Sequence, residues 1–302
     1  MPTYNRASFL PRSIESVVGQ EFGDWELIVV DDGSTDGTRK VLDEWQARDV
    51  RVKCFFQENQ GISAARNAGL GKAKGRYICF LDSDDAYRMD HLSRMHGVLS
   101  ERQHPDAMVV MQYDFVDELT GSSRRGPQCL PQGGVDISTR IMSVFLPFSP
   151  PVQTISHPNG GSNPVLFNPR LKVTECYDYC ARLASRHELL VDPHSTVVLY
   201  GHRDNVSVKR TRKEAIAFYK QQFSDLQTLA KGSFYKDIKE LPVFKEKLQA
   251  LAMRAATESL KAGMPVGFLV HLARYLSIRP QSLFGYLWLE SKRLTRAIGK
   301  TA

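Results

Sequence analysis

The sequence predicts an α/β protein with a mostly parallel, Rossmann-like central sheet flanked by helices, followed by a helical C-terminal extension. Two observations carry this. Over the first hundred residues short apolar runs alternate with amphipathic stretches, the order of strands joined by right-handed crossover helices. Two of the apolar runs also end in aspartate clusters, and in parallel sheets polar chemistry collects outside the carboxyl ends of the strands.

Residues 9–20 place Leu10, Ile14, Val17 and Val18 on one helical face. Residues 25–30, apolar except at Glu26, form a run of the kind buried on both faces of a parallel sheet, and they lead into Asp31-Asp32-Gly33-Ser34. A helix is expected at 37–48, with Val41, Leu42 and Trp45 spaced for burial, then a strand at 52–57 and a helix at 62–73. Residues 76–81 read as a strand ending at Asp82, and 89–99 as a helix. Residues 107–117 suggest a strand pair or hairpin closing the sheet. The stretch 121–161, rich in Gly, Pro and Ser, is expected to be irregular. A helix at 175–186 and a last strand within 189–200 complete the first domain, taken as residues 1–207. Residues 208–302 read as a basic helical region with breaks near Gly232, Gly263-Met264-Pro265 and Pro280.

Hydrophobic content of 42% and charged content of 24% are ordinary for a soluble globular protein. Five scattered cysteines (Cys54, Cys79, Cys129, Cys176, Cys180) contain no CxxC pair, which argues against a disulfide framework or structural zinc and suits a reducing cytoplasm. No apolar leader follows Met1, and the longest uncharged run, 141–169, carries six prolines, too many for a membrane span. The net charge of +7 is uneven: from Lys209 onward 18 Lys and Arg face 7 Asp and Glu. A basic helical tail suggests peripheral contact with anionic lipid headgroups at the inner face of the plasma membrane, or an anionic partner, although a solvated charged face would look the same. No nucleic-acid partner is expected.

Three local patterns bear on chemistry. Asp31-Asp32-Gly33-Ser34 runs into Thr35-Asp36-Gly37-Thr38 at a helix start, where carboxylates can accept from a base N–H or a ribose hydroxyl, or simply cap the helix. Asp82-Ser83-Asp84-Asp85 places three carboxylates in four residues behind a core strand, and they repel unless a cation neutralises them. Oxygen ligands suit Mg²⁺ or Mn²⁺, which bridge naturally to a diphosphate. The small residues around Arg66, from Gly61 to Gly69, allow close helix packing and leave Arg66 for a phosphate, an aspartate of the cluster or a plain ion pair.

Taken in order, Pro2-Thr3-Tyr4-Asn5, Val30 through Thr38, Ala65-Arg66-Asn67-Ala68-Gly69 and Leu81-Asp82-Ser83-Asp84-Asp85 resemble glycosyltransferase family 2, the inverting family with the GT-A fold. The resemblance is dense over about the first hundred residues and looser to about Ser207. It implies a nucleotide-sugar donor, UDP- or GDP-linked, and a hydroxyl acceptor on a surface polysaccharide or lipid-linked glycan. Pro2, Thr3, Tyr4 and Asn5 would line the nucleobase pocket, with Asp32 reading the base and Asp31 supporting its loop. Asp82 would face the ribose or metal, Asp84 would hold the metal and Asp85 would assist. His202, in a late motif, could approach the metal or diphosphate.

The resemblance also implies a catalytic base from an acidic pair opening a late helix. Here the pair reads Glu175-Cys176, with Asp178 beyond it. A thiol, with an ordinary pKa near ~8.5, is a poor substitute for a carboxylate base. Glu175 taking that role, a slow or inactive relative that binds nucleotide-sugar as a partner protein, and a shifted match of this helix all stay open. A nucleotidyltransferase is a further alternative, disfavoured by the lack of a Gly-rich basic phosphate loop near the start. The family normally has an apolar strand running into Pro-Thr-Tyr-Asn, so the natural product is expected to begin upstream of Met1.

Overall fold

In a computed structural model of the chain the described residues are 1–101, 106–126, 151–160, 163–202, 211–232 and 242–278. The chain divides into two compact units, Met1–Val208 and Lys209–Ala302.

The first unit opens with β1 (Pro2–Thr3), α1 (Leu10–Val18), β2 (Leu27–Asp31), α2 (Thr38–Arg48), β3 (Val52–Phe56) and α3 (Ile62–Leu70). β1, β2 and β3 form a parallel sheet in that order, in the register Pro2↔Val30 and Ile28↔Lys53. The expected periodicity is what buries it: Leu10, Ile14 and Val17 of α1 pack on Leu27 and Val29 of β2, with Leu42, Val52 and Leu81 in the same core. β4 (Tyr77–Cys79), β5 (Ala86–Tyr87) and α4 (His91–His96, continued by a π turn at Gly97–Glu101) follow.

The rest of this unit is a second, mixed sheet in the order β4-β8-β6-β9-β5, with β7 (Ser123–Arg125) paired to β6 (Met108–Asp117). Here only β6 and β9 (Leu189–Gly201) run parallel. The stretch 107–117 thus holds one ten-residue strand, Met108–Asp117, rather than a strand pair, and the hairpin forms with β7. The stretch expected to be irregular contains β8 (Ile155–Pro158), held between β4 and β6, while 127–150 and 161–162 lie outside the described residues. The β6–β9 register shifts on both sides of Gln112, which pairs with Ser195, and Pro193, a residue without an N–H, falls within the first shift. The last helix of the unit is α5 (Glu175–Ala184).

A cavity of about 240 Å³ lies between β2 and β4, lined by Leu27, Ile28, Ala65, Gly69, Tyr77 and Phe80 among others. Of the five cysteines, Cys54, Cys79, Cys176 and Cys180 are free thiols, and Cys129 lies outside the described residues.

Two histidines are sealed into this unit. His91 is fully buried, stacked 3.7 Å from the Tyr87 ring, with Nδ1 2.8 Å from Thr196 Oγ1. His157 has Nδ1 2.7 Å from the Pro158 carbonyl and Nε2 2.9 Å from the Tyr179 hydroxyl. Burial pulls their pKa values down, to about 3 for His91 and about 4 for His157. Both therefore stay neutral in the fold at pH values where the unfolded chain takes up a proton. Stability is present above the ordinary histidine pKa of 6.5 and falls as pH drops from there toward 4. At about 1.4 kcal/mol per pH unit for each group, these two histidines together should contribute up to ~2.7 kcal/mol per unit to the slope. Urea unfolding at several pH values reads this directly, and a His157→Gln variant whose slope matched that of the parent chain would refute the assignment.

Among its described residues the second unit contains α6 (Arg212–Leu229), α7 (Pro242–Lys261) and α8 (Pro265–Ile278). Thr211 and Glu214 close a capping box at the start of α6. Ile216, Phe223, Leu226 and Leu229 are buried on α6, and Leu251, Ala252, Ala255 and Ala256 on α7. The α7–α8 break falls at Gly263, whose φ of +68° ends the helix, with Pro265 opening the next. Among the described residues no helix is long and apolar enough to cross a membrane.

Candidate active site

Three loops at the carboxyl ends of β1, β2 and β4 converge with the start of α5. The β1 and β2 loops are laced together. Asn5, at φ 51°, donates its backbone N–H to Ser34 Oγ (2.8 Å) and accepts Thr35 N–H on Oδ1 (2.8 Å). Asparagine tolerates this left-handed conformation better than most residues. Arg6 N–H donates to Thr38 Oγ1 at 2.9 Å. Asp31 accepts from the Ser34 N–H and hydroxyl. Asp32 accepts from Gln57 Nε2 (2.7 Å), Gln60 N–H (2.9 Å) and Gly61 N–H (2.7 Å), which ties the β2 loop to the start of α3. The supporting role expected of Asp31 alone is therefore shared, and Asp32 holds the larger part of it. Gly33 sits at φ +78°, and a Cβ there would come 2.9 Å from the Asn59 nitrogen. Pro2 and Thr3 are buried in β1, whereas the Tyr4 ring is 46% exposed and open for stacking.

The aspartate cluster follows the buried Phe80 and Leu81, and its three carboxylates take different partners. Asp82 receives Arg66 Nη2 (2.9 Å) and Gln153 Nε2 (2.7 Å). Asp84 Oδ2 lies 3.1 Å from His202 Nε2 and 3.9 Å from Arg6 Nε. Asp85 receives Tyr200 N–H (3.0 Å) and Gln153 Nε2 (2.7 Å). Burial, reinforced by Asp84 and Asp82, raises the Asp85 pKa well above the ordinary carboxylate value. The backbone of the cluster is fixed by α1: Arg12 Nη2 donates to the Asp84 carbonyl (2.8 Å) and Ser13 Oγ to that of Asp85 (2.7 Å).

Arg66 is the hub. Its side chain is 2% exposed and spans Asp82 on one side and Glu175 Oε1 (3.2 Å) on the other, with Cys176 Sγ also 3.2 Å from Nη1. Burial works against the guanidinium charge, but Asp82 and Glu175 more than restore it, and its pKa lies above the ordinary value. Asn67, the next residue, makes a reciprocal pair of hydrogen bonds with the Phe167 backbone (2.9 and 2.8 Å), anchoring the segment that leads to α5. Burial pushes the Cys176 thiol well above its ordinary pKa despite Arg66, so it is a neutral thiol beside a carboxylate. Asp178, a candidate catalytic residue beyond the Glu175-Cys176 pair, is buried, and its Oδ2 takes Arg182 Nε (3.1 Å) and Nη2 (2.6 Å), an ion pair one helical turn along.

The expected set therefore assembles around Arg66, Asp82, Asp84, Glu175 and His202. Arg6, Arg12, Ser13, Asn67 and Gln153 join it without having been singled out from the sequence. Asn67, beside Arg66 in the small-residue stretch, is the one whose position carried a signal. Among the described residues no group of three or more His, Cys, Asp or Glu side chains could hold a metal by itself. Asp84 and His202 still fit one, because Mg²⁺ and Mn²⁺ complete their shells with substrate phosphates and water.

Residues 1–148 match the model of Glycosyl transferase family 2. Two similar curated proteins are glycosyltransferase GlyA of Streptococcus pneumoniae, 36% identical over 115 residues (38% of this chain, 16% of that protein), and the uncharacterized glycosyltransferase alr2836 of Nostoc, 38% identical over 144 residues (47% of this chain, 43% of that protein). The chain thus spans less than half the length of either relative. Among solved structures, Staphylococcus aureus TarS 1–349 with UDP-GlcNAc superposes with a TM-score of 0.60 at 18% identity, covering 94% of this chain and 90% of that one. A mannosyltransferase from Pyrobaculum calidifontis in complex with GDP-Man and Mn²⁺ gives 0.55 at 15% identity, covering 98% and 79%. The fold is the GT-A fold, and the glycosyl transferase family 2 match lies in residues 1–148.

Proposed function

We propose that the protein transfers a sugar from a nucleoside diphosphate-sugar to a hydroxyl acceptor with inversion at the anomeric carbon. The observation that carries this reading is the Arg66 hub, which joins a strand-end aspartate to a glutamate 109 residues further along. The exposed Tyr4 ring and the laced Asn5–Ser34 loop would receive the nucleobase, and Asp82 the ribose. Asp84 and His202 would hold Mg²⁺ or Mn²⁺, which would supply charge neutralisation of the departing nucleoside diphosphate. Glu175, fixed by Arg66, would take the proton of the acceptor hydroxyl as its oxygen attacks. The acceptor would be a hydroxyl of a surface polysaccharide or lipid-linked glycan at the inner membrane face. The support there is the surplus of positive charge from Lys209 onward.

Cys176 favours a second reading, in which the chain binds donor but transfers poorly and serves as a partner protein, since a neutral thiol stands where a carboxylate base would be expected. Both readings need a donor site. Calorimetric titration of UDP, GDP and dTDP, with and without Mn²⁺, should show metal-dependent binding of one nucleotide. Asp84→Ala should weaken it at least ~10-fold, the scale of one lost charge-assisted contact. No binding of any of the three by the folded chain would rule out both.

A further inference from the structure

Gln153 precedes β8 in a short 3-10 turn, Val152–Thr154, and no chemistry was expected of it. Its side chain is 7% exposed, and its Nε2 lies 2.7 Å from Asp82 Oδ2 and 2.7 Å from Asp85 Oδ2. An amide nitrogen has two hydrogens, so each carboxylate receives one. The reverse orientation would set the amide oxygen against two carboxyl oxygens. Asp84, between these two in sequence, is engaged by His202 and Arg6 instead.

Resting on the donor-site reading above, we infer that Gln153 is a positioning residue that sorts the aspartate cluster. By bonding Asp82 and Asp85 to one donor, it sets their separation and leaves Asp82 with its other edge on Arg66. It also occupies the point where two converging carboxylates would otherwise gather a cation. A divalent ion would thereby be kept off the Asp82–Asp85 edge and left to Asp84 and His202. Two carboxylates this close normally attract either a proton or a cation. A neutral double donor bonds to both carboxyl groups without adding charge.

Two near-isosteric substitutions test this in the full-length protein. Gln153→Met keeps the length and loses both donors. It is expected to weaken Mn²⁺-dependent nucleotide binding tenfold or more. Gln153→Glu replaces the donor with a third carboxylate and is expected to bind Mn²⁺ in the absence of any nucleotide at least tenfold more tightly than the parent chain, read by electron paramagnetic resonance of free Mn²⁺. Circular dichroism spectra matching the parent chain show that both variants are folded, so that a gain of cation affinity reads the third carboxylate meeting Asp82 and Asp85. Parental nucleotide binding by Gln153→Met, or no gain in Mn²⁺ affinity in Gln153→Glu, would overturn the inference. If the parent chain binds no nucleotide, the donor-site reading fails, and the nucleotide-free Mn²⁺ titration still decides the case of Gln153.

Discussion

Replacing Arg66 with alanine should destabilise the protein by about 3–5 kcal/mol and abolish nucleotide binding, because it strands two carboxylates that the fold has partly withdrawn from water. The guanidinium is 2% exposed and is shared between Asp82 and Glu175. Its removal would also leave Phe167, whose ring centroid lies 5.1 Å from the guanidinium carbon, without its cationic neighbour. An exposed ion pair lost in the same way typically costs below ~1 kcal/mol. The prediction is therefore a statement about burial and sharing, not about ion pairing in general. Arg66→Lys should fall between the two chains in stability, since a single ammonium cannot present the two directed N–H groups that reach both carboxylates. Urea unfolding monitored by circular dichroism reads the difference. A cost for Arg66→Ala below about 1 kcal/mol would show that Arg66 is not the hub that its contacts describe.

The parts of this fold that sequence makes visible are those whose burial is local. Leu10, Ile14 and Val17 fall on one face of α1 because helical spacing puts them there, and the apolar run into Asp31 reads as β2 because both of its faces are covered. β8 was invisible for the opposite reason. It is four residues long, it lies in a Pro- and Gly-rich stretch, and its existence depends on partners at Tyr77–Cys79 and Val109–Val110. The antiparallel character of the second sheet was hidden with it, since pairing direction is a property of the assembled strands and not of any one of them.

The site divides along the same line. Asp82, Asp84, Arg66 and Glu175 stand in short motifs whose residue types announce their chemistry. Gln153 reaches Asp82 across 71 positions, and the His202–Asp84 pair spans 118. For Gln153 no neighbouring residue hints at its use, and a lone histidine on the surface of a fold would look no different in sequence from His202. Asp32 shows the subtler failure. Its residue type and place were legible, but three donors from the Gln57–Gly61 segment give it a bracing role that only the folded loop reveals.

Glu175→Gln should leave nucleotide affinity within about twofold of the parent and lower the rate of sugar transfer by ~10²–10⁴-fold, the usual contribution of a positioned general base. The substitution preserves shape and removes only the ability to take a proton. Arg66 would keep one partner in Asp82, so the donor side of the site should be undisturbed. Cys176 supplies the opposing test. Its sulfur lies 3.2 Å from Arg66 Nη1 and 3.3 Å from Glu175 Oε1, close enough that an aspartate there would compete with Glu175 for the same guanidinium. If Glu175 is the working base, Cys176→Asp adds a carboxylate the site does not need, and transfer should change by less than tenfold. A rise of a hundredfold or more in Cys176→Asp, with little effect of Glu175→Gln, would instead mean that the unaltered chain lacks a competent base, and that its role rests on binding the donor rather than consuming it.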